Sequence, residues 1–125
     1  MKVGIPAETF PGERRVAATP DSVQALRNIG FNITVERGAG LATGFDDAAY
    51  EAAGATIGDA EAAWSCDVVA KVRAPGDDEV GRLDAGQTLI SYLYPAQNTD
   101  LVERLRARIK PRPHCIEVAR CPSVL

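Results

Sequence analysis

Residues 67–72 read DVVAKV, and the apolar middle of this run decides the fold class. Val68, Val69 and Ala70 follow one another with no polar residue between them, which is typical of a strand buried on both faces. Such strands lie centrally in parallel sheets, whose two faces are covered by helices. The run therefore predicts an α/β domain with this strand near the middle of its sheet.

Short β-rich stretches alternate with amphipathic stretches on both sides of this run, which is the pattern of βαβ units. One helix is predicted to begin at Thr19-Pro20-Asp21, an N-cap followed by a first-turn proline and an acid, and to end at Gly30. Further strands are predicted over 2–5, 31–36 and 88–93, and further helices over 46–53, 59–64, from 77, and over 100–108. We therefore expect a three-layer α/β fold, a mostly parallel sheet with alternating helices wound as in flavodoxin-like or Rossmann-like domains.

The length and charge of the chain limit its size and its partners. With 125 residues it is the size of one domain and too small for a two-domain dehydrogenase. Its net charge is -3, and no basic stripe interleaved with aromatic residues occurs. Nucleic acid is therefore not expected as a partner.

The sequence also indicates where the protein is located and whether it binds a metal ion. No apolar run approaches the roughly 18 to 20 residues that a membrane-spanning helix needs, so direct membrane insertion is not expected. The N-terminus becomes polar too soon for a signal peptide, which predicts a cytoplasmic protein. Cys66, Cys115 and Cys121 have no zinc-ligand spacing, and His114 is more readily explained as a tail residue than as a ligand beside Cys115, so no metal site is expected.

A glycine pattern at Gly38, Gly40 and Gly44 lies between a predicted strand and a predicted helix, where a dinucleotide phosphate site would lie. The third glycine is one residue too late for the common fingerprint, and Asp46 and Asp47 at the helix start would repel phosphate. A tight βα turn with acidic capping is therefore favoured over a nucleotide site.

Three cationic residues follow predicted parallel strands, at the edge of the sheet where α/β proteins place ligands. Arg15 can clamp a carboxylate or phosphate bidentately, with Glu13 to orient it. Lys71 and Arg73 lie at the end of the predicted central strand, and their charges are expected to converge with Arg15. Composition alone favours a solvated loop salt bridge between Glu13 and Arg15, which would contribute little to stability. Tyr92 and Tyr94 are predicted to point to one face of the next strand, in a core or wall role.

Four segments, taken in order, resemble one family. They are MKVGIPAE at 1–8, ERRVAATP at 13–20, ERGAG at 36–40 and YEAAGA at 50–55. The resemblance runs from residue 1 to about residue 108. It is to the N-terminal domain that alanine dehydrogenases share with the alpha subunits of proton-translocating NAD(P) transhydrogenases.

Two positions separate the branches of this family. Alanine dehydrogenases typically read Lys-Val-Lys-Glu-Pro where this chain has KVRAP at 71–75, and their second lysine, which contacts substrate, is Arg73 here. Their catalytic histidine is replaced by Tyr94, so no imidazole remains there to act as acid or base. The stretch YPAQN at 94–98 is similar to the transhydrogenase version. The resemblance therefore favours a transhydrogenase alpha subunit, while an alanine dehydrogenase lobe and a non-enzymatic module completed in trans by a partner chain stay open.

The resemblance implies a function that this lobe shares with other segments. In the family, NAD(H) binds between this lobe and a following Rossmann lobe, hydride passes between NAD(H) and NADP(H), and membrane helices couple the transfer to proton translocation. The implied partners are the beta subunit or the remaining alpha-subunit segment, with a homodimer in the intact family and a location at the inner face of the membrane through partner subunits. The implied catalytic candidates are Arg15 and Lys71, and the candidates for lining the cofactor cleft are Arg73, Tyr94 and Gln97.

The C-terminal stretch departs from the family. We expect one domain over 1–108 and an atypical tail over 109–125. The alternation of strands and helices predicts a strand in this tail, but Pro111 and Pro113 interrupt it. The family's loop that reaches the nicotinamide and its Rossmann lobe have no counterpart here. We therefore expect a shifted or truncated reading of the gene and a chain that is inactive and does not bind NAD alone, so its status as an enzyme is uncertain. An intact reading frame at the locus with no downstream transhydrogenase remnant would contradict the hypothesis.

Overall fold

The structure, a computed structural model, describes residues 1–94 and 96–109, and a parallel sheet organises this part of the chain. The strands are β1 (Lys2–Ile5), β2 (Asn32–Glu36), β3 (Thr56–Gly58), β4 (Val68–Arg73) and β5 (Thr88–Tyr92). The helices are α1 (Pro20–Asn28), α2 (Asp47–Ala52), α3 (Ala60–Trp64), α4 (Asp77–Val80) and α5 (Thr99–Ile109), with a 3-10 turn at Leu41–Thr43. The proline-containing tail from residue 110 onward lies outside the described residues.

The strand order is β3-β2-β1-β4-β5, and every paired strand of the described sheet is parallel to its neighbour. The predicted α/β class and parallel sheet are confirmed. The chain winds in one direction from β1 to β3 and in the other from β4 to β5, so the direction reverses between β1 and β4. This order is Rossmann-like rather than flavodoxin-like.

Helices cover the sheet from both sides. The face that α1 and α2 cover is here called the front face, and its core residues include Val3, Ile5, Val23, Ile33, Val35 and Tyr50. The face that α3, α4 and α5 cover is the back face, and its core residues include Trp64, Val69, Leu83, Leu89, Leu101 and Leu105. The three predicted layers follow from these two separate cores.

The start of α1 forms as its sequence predicts. The Thr19 hydroxyl accepts the N–H of Ser22 at 3.2 Å, Pro20 occupies the first turn, and Gly30 lies just past the helix end with a φ of 105°. That dihedral angle favours glycine because a Cβ would be strained there. The predicted boundaries of α1 therefore have a physical cause at each end.

Two expectations about the strands need correction. β4 is interior, but β1 is the middle strand, and Val68, Ala70 and Val72 are only half-buried, so β4 is not buried on both faces. Tyr94 lies beyond the end of β5 with a φ of 48°, so it does not share that strand with Tyr92. Neither tyrosine is in the core, because 37% of Tyr92 and 47% of Tyr94 are exposed.

Candidate functional site

The candidate site lies at the carboxyl ends of β1 and β4, on the two sides of the point where the winding direction reverses. Clefts at such points are where open α/β sheets bind ligands. The loop after β1 contributes Glu8, Glu13 and Arg15, and the end of β4 contributes Lys71 and Arg73. Two carboxylates of the loop join these two chain segments.

Glu8 forms a buried clamp on the end of β4. Its carboxylate accepts the Lys71 ammonium at 3.0 Å, the N–H of Val72 at 2.8 Å and the N–H of Arg73 at 3.0 Å. The side chains of Glu8 and Lys71 are each 1% exposed, and a Glu79 oxygen lies 3.6 Å from the Lys71 nitrogen. Glu8 therefore satisfies a buried cation and two backbone donors at once, which fixes the backbone from which the Arg73 side chain extends.

Glu13 is the bridge between the two arginines. One of its oxygens accepts Arg15 Nη2 and Arg73 Nε, each at 2.7 Å, and the other accepts Arg15 Nε at 2.8 Å. The Glu13 side chain is only 4% exposed, while those of Arg15 and Arg73 are 63% and 42% exposed. The arginines thus shield the carboxylate and present their outer edges to solvent.

The charges of this cluster are mutually stabilised. Hydrogen bonds from Arg15 and then from Arg73 hold the pKa of Glu13 well below its usual range. The hydrogen bond to Glu13 raises the pKa of Arg15, with a smaller electrostatic contribution from Tyr94. Glu13 and Arg15 therefore stabilise each other in their charged forms, and Tyr94 lies within electrostatic range of Arg15.

Aromatic rings border the cluster. The Arg73 guanidinium lies 4.1 Å from the centroid of the Phe10 ring, a cation–π contact that restrains the flexible arginine. Tyr94 adopts a left-handed backbone conformation, and its carbonyl accepts the N–H groups of Gln97 at 2.9 Å and Asn98 at 3.1 Å. Gln97 is exposed in this turn before α5. The turn thus presents Tyr94 and Gln97 at the same end of the sheet as the arginines.

The predicted convergence of three cations is realised for two of them. Arg15 and Arg73 meet on Glu13, which also has the orienting position expected of it. Lys71 is instead turned inward and paired with Glu8. Residues two positions apart share a face of a regular strand, but the register shifts between Ala70 and Arg73, and this irregularity lets Lys71 and Arg73 reach different partners.

The glycine pattern at 38–44 forms a capped turn. The N–H of Gly38, which a phosphate would need, donates to Asp47 Oδ1 at 2.8 Å, and Asp46 accepts the N–H of Ala49 at 2.9 Å as the N-cap of α2. Gly40 is required because a Cβ there would lie 2.6 Å from the Tyr50 ring. This turn disfavours a pyrophosphate, since Asp47 takes the Gly38 donor and two carboxylates lie at the start of α2.

The arrangement is suited to holding an anion or a polar ring rather than to bond chemistry. Two fixed guanidinium groups present outward N–H donors beside Phe10 and Tyr94, which matches the needs of a carboxylate, a phosphate or a carboxamide-bearing ring. Among the residues that the structure describes, no cluster of histidine, cysteine and acidic side chains could hold a metal ion, and no helix is long and apolar enough to cross a membrane.

Sequence reasoning missed Glu8, Glu79 and Phe10. The available signal was Lys71, which lies in a largely apolar strand and, when buried, needs an acidic partner. Glu8 lies three residues after the buried strand β1. Glu79 and Phe10 gave no such signal, because a helix-start acid and a loop aromatic are common in any α/β domain.

Known proteins similar to this chain fall into the two branches of one family. A family model described as "Alanine dehydrogenase/PNT, N-terminal domain" matches residues 4–110. The NAD(P) transhydrogenase subunit alpha of Cereibacter sphaeroides is 50% identical over 105 residues, which are 82% of this chain and 20% of that protein. The alanine dehydrogenase of Bacillus subtilis is 39% identical over 107 residues, 85% of this chain and 28% of that protein.

A solved structure gives the same result. The crystal structure of the transhydrogenase from Sinorhizobium meliloti superposes with a TM-score of 0.81 at 37% identity, covering 84% of this chain and 32% of that one. The chain spans between a fifth and a third of the length of these relatives.

Proposed function

The chain belongs to the family of alanine dehydrogenase and PNT N-terminal domains, and from that premise we propose that it is the N-terminal lobe of the NAD(H)-binding alpha subunit of a proton-translocating NAD(P) transhydrogenase. In this role the lobe is one wall of a cleft whose other wall comes from a following segment. Hydride transfer between NAD(H) and NADP(H) then requires the complete assembly. The lobe alone is inactive.

The observation that carries this proposal is the chemistry of Arg73 and Tyr94. Arg73 carries a guanidinium and Tyr94 a phenol, so neither position supplies the imidazole that would act as acid or base toward an amino acid. The Arg73 side chain is also held by Glu13 and Phe10. This supports a cleft that orients a cofactor over one that oxidises alanine.

Each site residue has a proposed role. Arg15 and Arg73 present partly exposed cations to an anionic or amide group of the cofactor, and Tyr94 and Gln97 line the cleft beside them. Lys71, being buried on Glu8, holds the end of β4 in position. When bound, NAD(H) supplies the hydride chemistry, and the lobe orients the ring and excludes water.

The capped glycine turn supports the need for a second segment. Asp47 accepts the N–H of Gly38, Asp46 accepts the N–H of Ala49, and both carboxylates would repel a pyrophosphate at this turn. The partner is accordingly the remaining alpha-subunit segment or the beta subunit, with a homodimer of the complete subunit. The assembly lies at the cytoplasmic face of the membrane through those partners.

A fluorescence titration with NADH tests the first part of the proposal. The purified chain should show no saturable binding up to about the millimolar range, where weak sites still register. Saturable binding by this chain alone would contradict its dependence on a second segment.

The second part is tested by completing the chain. The chain is combined with the portion of the Sinorhizobium meliloti transhydrogenase that it does not cover and with an NADP(H)-binding partner, and hydride transfer from NADH to NADP⁺ is followed. We expect transfer. The similarity to the Bacillus subtilis alanine dehydrogenase makes NAD⁺ reduction by L-alanine the alternative, and that activity without transhydrogenation would move the chain to the other branch.

A further inference from the structure

The carboxylate of Glu13 occupies the position between the two arginines that an anionic ligand would otherwise take. It accepts Nε and Nη2 of Arg15 at 2.8 Å and 2.7 Å, and Nε of Arg73 at 2.7 Å. It also accepts the backbone N–H of Arg15 at 2.9 Å, so the loop holds it as well. The inner edge of each guanidinium is therefore satisfied within the protein, and a ligand can reach only the outer N–H groups.

The formal charges around the arginines cancel. In the described part of the chain, the ion pairs of this cluster join three cations to three carboxylates, namely Arg15, Lys71 and Arg73 to Glu8, Glu13 and Glu79. Glu8 accepts the backbone N–H of Arg73 and lies within electrostatic range of Arg15, so its buried ion pair belongs to the same cluster. The cluster thus offers directed N–H donors without a net positive charge.

A doubly charged anion is poorly matched to such a cluster. If it bridged the outer edges of Arg15 and Arg73, only the width of a guanidinium would separate it from the Glu13 carboxylate, and no net charge would offset its lost hydration. Phe10, which is 53% exposed, also places apolar surface beside these donors, since its ring centroid is 4.1 Å from the Arg73 guanidinium. A group with no charge or one negative charge avoids most of this cost and still accepts charge-assisted hydrogen bonds.

We infer that Glu13 is a specificity-determining residue, which closes the arginine pair to doubly charged anions such as a phosphate monoester. The outer donors of Arg15 and Arg73 are left to a group with at most one negative charge, such as a carboxamide or a carboxylate. The inference rests on the proposed function and narrows the chemistry of the group that the site holds. It predicts that removal of the Glu13 charge creates an anion site that the wild-type chain does not have.

Inorganic sulfate, which is doubly charged at neutral pH, is the probe that tests the inference. The isotope-labelled 125-residue chain is titrated at constant ionic strength, and the backbone amide resonances of Arg15 and Arg73 are followed by NMR. The wild type should show no saturable shift below about 10 mM, a range in which weak sites still register. Glu13→Gln removes one negative charge beside both guanidinium groups, so it should bind sulfate at least about tenfold more tightly than this limit.

Two further variants locate the effect. Asp84→Asn removes a carboxylate that pairs with Arg108 before β5, at the opposite end of the sheet, and its sulfate affinity should stay within about twofold of wild type. Adding Arg73→Gln to Glu13→Gln should abolish the gained affinity. If Glu13→Gln does not keep the wild-type circular dichroism spectrum, Glu13→Ala makes the same change of charge with a smaller side chain.

The results that overturn the inference are specific. They are saturation of the wild type below about 10 mM, no gain of affinity in either Glu13 variant, or a gain as large in Asp84→Asn or in the double variant. A purely structural role of Glu13 would not yield a new anion site when the residue is replaced. Because neither cofactor nor partner chain enters the titration, it can succeed when the hydride-transfer test fails, and the two proposals stay distinguishable.

Discussion

Glu8 holds three donors of β4 with one carboxylate, and its loss should be costly. Glu8→Gln leaves the Lys71 ammonium buried with only Glu79, at 3.6 Å, as a carboxylate partner. Removing one member of a buried ion pair costs about 3 kcal/mol or more, and we expect a loss near that figure because Glu79 compensates in part. Urea unfolding followed by circular dichroism measures it.

A double variant provides the control for Glu8. Glu8→Gln with Lys71→Met removes the uncompensated charge while keeping the length of the side chain. It should recover at least about 1 kcal/mol relative to Glu8→Gln alone. If the free energy of unfolding of Glu8→Gln lies within about 1 kcal/mol of wild type, Glu8 does not stabilise the end of β4 as its three hydrogen bonds indicate.

Glu13 predicts a specific pH dependence of stability. Its pKa is depressed below the ordinary value of 4.5 by Arg15 and then Arg73, so the folded state keeps it ionised. A group of this kind contributes stability that is fully present above its unfolded pKa and is lost as pH falls toward the folded one. The difference in urea midpoint between wild type and Glu13→Gln should therefore be constant from pH 7 to 5 and shrink below pH 4.5. If the difference in urea midpoint instead stays the same as the pH falls below 4.5, the pKa of Glu13 is not depressed in the folded state.

The arginine half of the site could be predicted from the sequence, and the buried half could not. Parallel strands end at one edge, so cations that follow two such strands are expected to meet, as Arg15 and Arg73 do. Whether a strand-end lysine faces the cleft or the interior depends on the pairing of the strand and on the register shift before Arg73, which a sequence does not display. The outcome for Lys71 was decided by Glu8, whose distance from it along the chain is 63 residues.

At the scale of the elements, α3 packs closely against β1. A Cβ built on Gly4 would lie 1.9 Å from the Ala63 carbonyl oxygen, which is backbone and cannot turn aside. Gly4→Ala should therefore destabilise the protein by about 3 kcal/mol, at the upper end of overpacking effects, as measured by urea unfolding.

Another glycine serves as the control for this crossing. Gly81 has a φ of -64°, and an added Cβ would be 3.4 Å from the Asp78 carbonyl, so Gly81→Ala should change stability by less than about 0.5 kcal/mol. Similar effects from the two substitutions would show that the contact between α3 and β1 relaxes, and that glycine is not required at position 4.

Elements with local signals were predictable and the shortest strand was not. β1 forms over the predicted residues, and α1 has both its predicted cap and its terminal glycine. β3 has three residues, too few to show the alternation that identifies a strand, and it forms because β2 offers it a parallel partner. The burial of β4 was overestimated because the sequence pattern assumes a helix on each face, whereas the front of β4 lacks one among the described residues.

At the scale of the whole molecule, two described features bear on the proposed dependence of this lobe on a partner segment. The capped glycine turn has its Gly38 donor taken by Asp47, which is a matter of polar chemistry. The front of β4 and β5 exposes Ile90 and Tyr92, which is a matter of apolar burial. Under the proposed function, binding of the remaining alpha-subunit segment should stabilise this lobe even before any cofactor binds.

Amide exchange can separate these two effects. The isotope-labelled chain is observed by NMR with the unlabelled remainder of the Sinorhizobium meliloti transhydrogenase, so that only this lobe is seen. At a hundredfold excess over the dissociation constant, binding to the folded state adds about 2.7 kcal/mol to the free energy of unfolding. The slowest amides, expected at Val35 and Val69 in the buried strands, should exchange about a hundredfold more slowly. NADH added to the chain alone should leave them unchanged, because Asp46 and Asp47 occupy the start of α2 beside the described glycine turn. Protection by NADH alone would place the cofactor on this lobe without its partner.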